Sequence, residues 1–250
     1  MNDIRLALLT GIDIPIPECK LILHQPRIKE ISYIGENDFF VGIQTLCLNK
    51  SMFIQDKAVL DEVNNFQIFM TVIGEQSAAD KKIAAKKVLQ ITFPDYTIMF
   101  SPRSIIFQKD GESFPVDESN FEFLQQTMRL VFCSKDGPMA QQAFNPANAK
   151  AKEIADKLMR GRQRVAEIKG SANASVFSQY LSIISIALHL SLLEVQQYTM
   201  YQIYDTIERY SLYINWDLDV RVRLAGGKPD SHPEDWIKIS IYFNKEENTL

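Results

Sequence analysis

The sequence has little of what metal and catalytic sites are built from. It contains only three histidines, and none has a cysteine or an acidic residue at a recognisable ligand spacing. Its three cysteines, Cys19, Cys47 and Cys133, lie far apart and form no CxxC pair. The Gly-Gly-Lys run at 226–228 lacks the rest of a phosphate-binding loop. We therefore expect no catalytic residue, no metal and no cofactor, and we expect three reduced cysteines in the core.

A basic surface and a long apolar run are also missing. The net charge of −4 argues against bulk affinity for nucleic acid, which needs basic side chains to displace counterions. The most apolar window, 176–193, is interrupted by Gln179 and His189, whereas a membrane span needs about 20 nearly uninterrupted apolar residues. We therefore expect a buried helix there, with His189 as a core histidine. The N-terminus, with Asp3 and Asp13, does not resemble a signal peptide, so we expect a cytosolic protein without membrane contact.

The composition is that of an ordinary globular protein. Hydrophobic residues make up 46% of the 250 residues and charged residues 23%, which is enough apolar surface for a core. Fifteen phenylalanines and nine tyrosines leave some aromatic side chains for binding surfaces, although burial is the default for such rings. The length fits one large domain or two small ones.

The order of the predicted elements indicates an α+β fold that is predominantly helical. The first twenty residues indicate an extended arm. The segments 97–101 and 104–108 are rich in β-branched and aromatic residues, and the tight turn at 110–111 follows them, so we expect an antiparallel β-hairpin at 97–116. The next helix carries an apolar stripe of Phe121, Leu124, Met128 and Val131. From this order of elements we expect a small sheet that packs on helices.

The chain changes character after residue 134, which predicts three parts. Residues 1–134 form an N-terminal helical domain with the hairpin, and 176–250 form a C-terminal helical module. Between them lies a linker, 135–175, that contains an exposed basic helix at 147–169. That helix is a connector, a docking face for an acidic partner, or a binder of single-stranded nucleic acid. It lacks the aromatic residues that stack on bases, which makes the third alternative the weakest.

Two groups of residues are candidates for binding a partner protein. The first group is Arg160, Arg162 and Arg164 on the basic helix, where a thin apolar stripe leaves the arginines facing outward. The second is Tyr198, Tyr201 and Tyr204, which stand three apart, as on one face of a helix. These tyrosines are either core residues, since an apolar helix precedes them, or interface anchors. Asp217 with Arg221 and Asp219 with Arg223 are expected to form i,i+4 ion pairs on an exposed helix that Gly226 ends.

Two stretches resemble proteins of tailed bacteriophages. Residues 198–227, YTMYQIYDTIERYSLYINWDLDVRVRLAGG, precede a proline-containing turn and Trp236, and they are similar to the end of tail-assembly chaperones and baseplate-family proteins. Residues 17–40, PECKLILHQPRIKEISYIGENDFF, resemble the opening of the T4-type baseplate protein family. The resemblance implies a phage protein that acts in the host cytoplasm during tail assembly, contacts the tape-measure protein or the baseplate hub, and is either released or kept in the virion.

The leading hypothesis is therefore a non-enzymatic tail-assembly chaperone or baseplate-hub component that works through protein–protein contacts. The alternative is a cytosolic enzyme or regulator with a small-molecule pocket. Nucleic-acid binding through 147–169 is a third, weaker hypothesis. The oligomeric state is open, and it includes a homo-oligomer.

Overall fold

The structure is a computed structural model that describes residues 4–50, 63–133 and 175–227. In these ranges most residues are helical, and two small antiparallel sheets pack on the helices. The predicted α+β, predominantly helical class is confirmed. The predicted basic helix at 147–169, with Arg160, Arg162 and Arg164, lies outside the described residues, as does most of the predicted linker. The division into three parts therefore stays a prediction.

The chain begins with a helix and a small two-stranded sheet. The elements are α1 (Ile4–Thr10), β1 (Ile14–Ile16), a 3-10 turn (Pro17–Cys19) and β2 (Leu21–Leu23). Strand β1 pairs antiparallel with β2, so that Ile14 stands opposite Leu23. The expected extended arm is wrong for residues 4–10, because Leu8 is fully buried in the core and holds this segment as a helix.

Among the described residues, four helices follow and form the centre of the N-terminal part. They are α2 (Ile28–Ile34), α3 (Glu36–Leu46), α4 (Asn65–Gly74) and α5 (Ala79–Thr92), and a 3-10 turn (Gln76–Ala78) precedes α5. Helix α3 packs along α5 with Gly42 at the contact. A Cβ atom at Gly42 would lie 2.5 Å from Cγ2 of Val88 and 2.6 Å from the Ala84 carbonyl oxygen. The two helices can approach this closely only because position 42 has no side chain.

A three-stranded antiparallel sheet comes next, formed by β3 (Thr97–Ser101), β4 (Ser104–Lys109) and β5 (Glu112–Val116). Asp110 and Gly111, with φ of 53° and 83°, make the tight turn between β4 and β5. The buried faces of the strands pack in the core, for example through Ile105 and Phe107. Helix α6 (Phe121–Val131) then buries the predicted stripe. The sequence-based predictions of the hairpin and of this helix are confirmed.

The C-terminal range 175–227 contains three helices, which pack on the N-terminal ones. They are α7 (Val176–Leu188), the short α8 (Leu192–Val195) and α9 (Met200–Leu224). The Phe177 ring lies 5.9 Å from that of Phe39 and 5.3 Å from that of Phe40, between ring centroids. The Ile28 amide donates to the Tyr198 carbonyl at 2.9 Å, which joins α2 to the segment before α9. The core is therefore continuous from α1 to the first turns of α9.

Candidate functional site: the exposed face of the C-terminal helices

His24 lies between two carboxylates, an arrangement that its sequence spacing did not indicate. Its Nδ1 is 3.0 Å from the Asp13 carboxylate and its Nε2 is 3.3 Å from that of Glu30. Asp13 and His24 meet only because β1 pairs with β2. The same Glu30 oxygen accepts a hydrogen bond from the Arg27 amide at 2.7 Å and so caps α2. The cluster ties β1, β2 and α2 together, and no group of three or more potential metal ligands is arranged to hold an ion among the described residues.

In the described part of the chain, an open cleft of about 790 Å³ lies between α4, the β3–β4 turn and the loop before α6. Arg103, Asp117 and Glu118 contribute charged groups to it. The Asp117 carboxylate accepts hydrogen bonds from the Ser119 hydroxyl at 2.6 Å and from the Ser119 amide at 2.9 Å. These bonds lower the pKa of Asp117, the hydroxyl bond most strongly. A carboxylate held in this way stays ionised and shapes the turn, and it is poorly suited to donate a proton.

A second cleft, about 520 Å³, opens beside Cys19, Lys20 and Glu112. Burial, and then the charge of Glu18, raises the pKa of Cys19 to about 11. The thiol also donates a weak hydrogen bond to the Asn120 carbonyl at 3.4 Å. Because the thiolate is the nucleophilic form, Cys19 is unreactive near neutral pH and acts as a core residue. The expected burial of the cysteines in the core is confirmed for Cys19 and Cys133, whereas Cys47 is only partly buried.

The three candidate tyrosines do not share one helical face, which corrects the sequence-based expectation. Tyr198 precedes the helix, because Thr199 is the N-cap and its side chain accepts from the Gln202 amide. Tyr201 and Tyr204 are on α9, but only 2% and 4% of their surfaces are exposed. Burial raises the pKa of both hydroxyls, that of Tyr201 to about 12. Both rings therefore pack as core residues, and whether a partner binds around them stays a prediction.

Helix α7 differs from the buried helix expected at 176–193. It ends at Leu188, and the next residue, His189, is an exposed C-cap with φ of 55° rather than a core histidine. Within α7 only Phe177 and Ile184 are fully buried. The reason is geometric: α9 and the N-terminal helices cover one side of a helix that is apolar on several sides. The opposite side faces solvent.

Helix α8 also exposes large apolar side chains. Ile186 is 77% exposed and Leu193 is 74% exposed, and both have half-exposed apolar neighbours, Ile183 and Leu192. Helices α7 and α8 pack against each other. We call these four residues, Ile183, Ile186, Leu192 and Leu193, the α7–α8 patch. A cluster of large apolar side chains left in water is the usual mark of a protein-binding surface, since single exposed residues are common but clusters are not.

The second half of α9, residues 208–224, is also largely exposed; we call it distal α9. Leu218 is 58% exposed and Leu224 is 83% exposed. The predicted i,i+4 ion pairs are confirmed here: the Arg221 side chain lies 2.8 Å from the Asp217 carboxylate, and Arg223 lies 2.8 Å from Asp219. Gly226, with φ of 84°, follows the end of the helix, as expected.

Comparisons with known proteins point to the same part of the chain. Residues 170–240 match the family model of the YomV second domain, a phage-derived family. No curated protein and no solved structure matches the chain. No helix in the described ranges is long and apolar enough to cross a membrane. The matched residues include α7, α8 and α9, so an independent comparison supports the expected link to phage proteins, whereas tail assembly and the baseplate stay predictions.

Proposed function

We propose that this chain is a non-enzymatic phage assembly protein, a tail-assembly chaperone or a baseplate-hub component, and that it works through protein–protein contacts. The observation that carries the proposal is the coincidence of two features. The α7–α8 patch exposes four large apolar side chains, and it lies inside the residues that match a phage-derived family. The proposed partner is a structural protein of the same phage, either the tape-measure protein or a hub protein.

The way in which α7 is anchored supports a binding role for the patch. Phe177 and Ile184 hold α7 to the core, and the Val176 amide donates to the Glu36 carboxylate at 2.7 Å. The apolar side chains of the patch are therefore presented from a helix fixed at its start, which lowers the entropy lost on binding. Removing apolar side chains from water favours association, so four large ones are suited to the centre of an interface.

The test is binding of the purified chain to the tape-measure and hub proteins of the same phage. The variant Ile186→Asp/Leu193→Asp places two charges in the patch and is expected to weaken binding by about tenfold or more, with little change in melting temperature, because both residues are exposed. Tyr33→Asp is the matched control. Tyr33 is 78% exposed on α2, as exposed as Ile186, but lies outside the patch. Undiminished binding by the double variant, or no binding by the unaltered chain, would contradict the proposal.

The alternative function, a cytosolic enzyme or regulator with a small-molecule pocket, draws its support from the larger cleft. Its volume of about 790 Å³ is in the range of ligand pockets, and Arg103 faces it beside Asp117 and Glu118. A ligand that binds only the folded chain raises the melting temperature. A melting series with nucleotides and divalent cations tests this alternative. A saturable rise that Arg103→Ala abolishes would favour it over the assembly proposal.

A further inference from the structure

Distal α9 has a pattern of apolar residues that its helical structure does not use. From Trp216 to Leu224 the chain reads WDLDVRVRL, in which apolar and charged residues alternate strictly. A period of two is the pattern of a half-buried β-strand, whereas an exposed helix is expected to place its apolar residues three and four apart. Two valines and a tryptophan also favour strands. We call these nine residues the 216–224 segment.

In the helix this alternation divides the apolar residues between two opposite sides. Successive residues are 100° apart, so Trp216, Val220 and Leu224 lie on one side. Leu218 and Val222 lie on the other. Neither side is well covered, since Leu218 and Leu224 are more than half exposed. Local sequence preference and observed structure therefore disagree in this segment, and such conflicts concentrate at functional sites.

The charges of the segment are self-complementary about Val220. Two aspartates precede this residue and two arginines follow it, at equal distances. If two copies run antiparallel with Val220 opposite Val220, Asp219 stands opposite Arg221 of the second copy and Asp217 stands opposite Arg223. On the other face, Leu218 stands opposite Val222 and Trp216 opposite Leu224. Directly opposed opposite charges and apolar pairs are the contacts that stabilise antiparallel strands.

We propose that the 216–224 segment pairs with the same segment of a second copy of this chain, as antiparallel β-strands related by a two-fold axis at Val220. On pairing, Asp217 exchanges Arg221 of its own helix for Arg223 of the second copy. Asp219 likewise exchanges Arg223 of its own helix for Arg221 of the second copy. All four ion pairs are kept, and five apolar side chains per copy come together on one face. The proposal does not rest on the proposed function, which uses the α7–α8 patch instead.

The charge pattern provides the first test. The variant Asp217→Arg/Asp219→Arg has four positive charges in the segment, and Arg221→Asp/Arg223→Asp has four negative ones. Light scattering coupled to gel filtration is expected to show a dimer for the unaltered chain, and dimerisation weakened by at least about tenfold for each variant alone, because like charges then face each other. An equimolar mixture of the two variants is expected to form a heterodimer. Mixing cannot restore the ion pairs within one helix, so this result isolates the contact between copies.

The outcomes are decisive in both directions. Lys81→Asp/Lys82→Asp changes the net charge by the same amount as the arginine variant, but on exposed positions of α5, and it should leave the dimer intact. If the unaltered chain is a monomer, the proposal is overturned, because the 216–224 segment then does not pair with a second copy. Dimers that survive in both charge variants, or a mixture that stays monomeric, would overturn it as well.

Cysteine cross-linking tests the strand conformation. Val220→Cys should form a disulfide between copies under mild oxidation, because a two-fold axis brings the two positions together. A pair of helices in the same register would do the same. A mixture of Leu218→Cys and Val222→Cys chains distinguishes the two, since strands place these positions opposite each other and helices turn them away from Val220. A Val220 cross-link without the mixed Leu218–Val222 cross-link would overturn the strand pairing, and the unaltered chain controls for its own three cysteines.

Discussion

The two halves of α9 are one continuous helix in two different environments. From Met200 to Asp205 most side chains are buried, and the Tyr204 ring packs edge-on against Tyr180 at 5.7 Å between centroids. From residue 208 onward the side chains are exposed or only half-buried. Asp205 of the first half forms an i,i+4 ion pair with Arg209, and two such pairs lie within distal α9, all three with the same 2.8 Å separation. The comparison shows that backbone geometry and local ion pairs do not reveal whether a helix supports the fold or presents a surface.

The largest difference between the halves is expected from removing one tyrosine ring in each. Tyr201→Ala should lower the free energy of unfolding by about 3 kcal/mol or more, because it opens a cavity in the core. Tyr213→Ala, in distal α9, should lower it by about 0.5 kcal/mol, since that ring is 40% exposed and stacks on Trp216 at the surface. Urea denaturation measures both. Equal losses of unfolding free energy in the two variants would show that the two halves of α9 do not differ in burial.

Alkaline pH should act on the buried tyrosines of the first half. Burial, and then the charge of Asp205, raises the pKa of Tyr201 from 10.0 to about 12, and burial raises the pKa of Tyr204 in the same direction. The folded state therefore favours the neutral hydroxyls. Their contribution to stability is complete below pH 10 and is lost as the pH rises from 10 towards 12. Thermal melts across this range should show a smaller loss for Tyr201→Phe/Tyr204→Phe than for the unaltered chain.

The acidic partners of the ion pairs allow a third comparison. The Asp205 side chain is nearly buried and its partner Arg209 is partly covered, so Asp205→Ala leaves a poorly solvated charge. We expect a loss of about 1–2 kcal/mol in the free energy of unfolding. Asp217→Ala should lose no more than about 0.5 kcal/mol, because Arg221 is well exposed and water replaces the lost contact. A larger loss at Asp217 than at Asp205 would reverse the assignment of the two halves.

The smallest effect is expected at a single hydroxyl. The Tyr204 hydroxyl is buried and has no hydrogen-bond partner within the described part of the chain. Tyr204→Phe removes this unsatisfied group and keeps the ring packed against Tyr180. The variant should be as stable as the unaltered chain, or more stable by about 1 kcal/mol. A clear loss of stability in urea denaturation would mean that the hydroxyl has a partner after all.

The sequence predicted burial best for elements that pack a single face against a single neighbouring element. The stripe of α6, beginning at Phe121, and the turn at Gly111 were predictable because spacing and turn chemistry are local. The exposed face of α7 was not, because a helix that is apolar on several sides does not show how many neighbours cover it. The same limit applies to Tyr204, whose ring packs against Tyr180 of α7, so that its burial depends on where α7 docks. The contact between Asp13 and His24 needed the register of β1 and β2, which is set by the fold.

Hydrogen exchange followed peptide by peptide along α9, at two protein concentrations, tests most directly whether the helix divides into a core half and an interface half. Amides around Ile203 should be strongly protected at both concentrations, because opening them requires unfolding of the core. Amides of the 216–224 segment should be weakly protected in dilute protein and clearly more protected in concentrated protein, as copies pair. Protection that is equal in the two halves and independent of concentration would contradict the account.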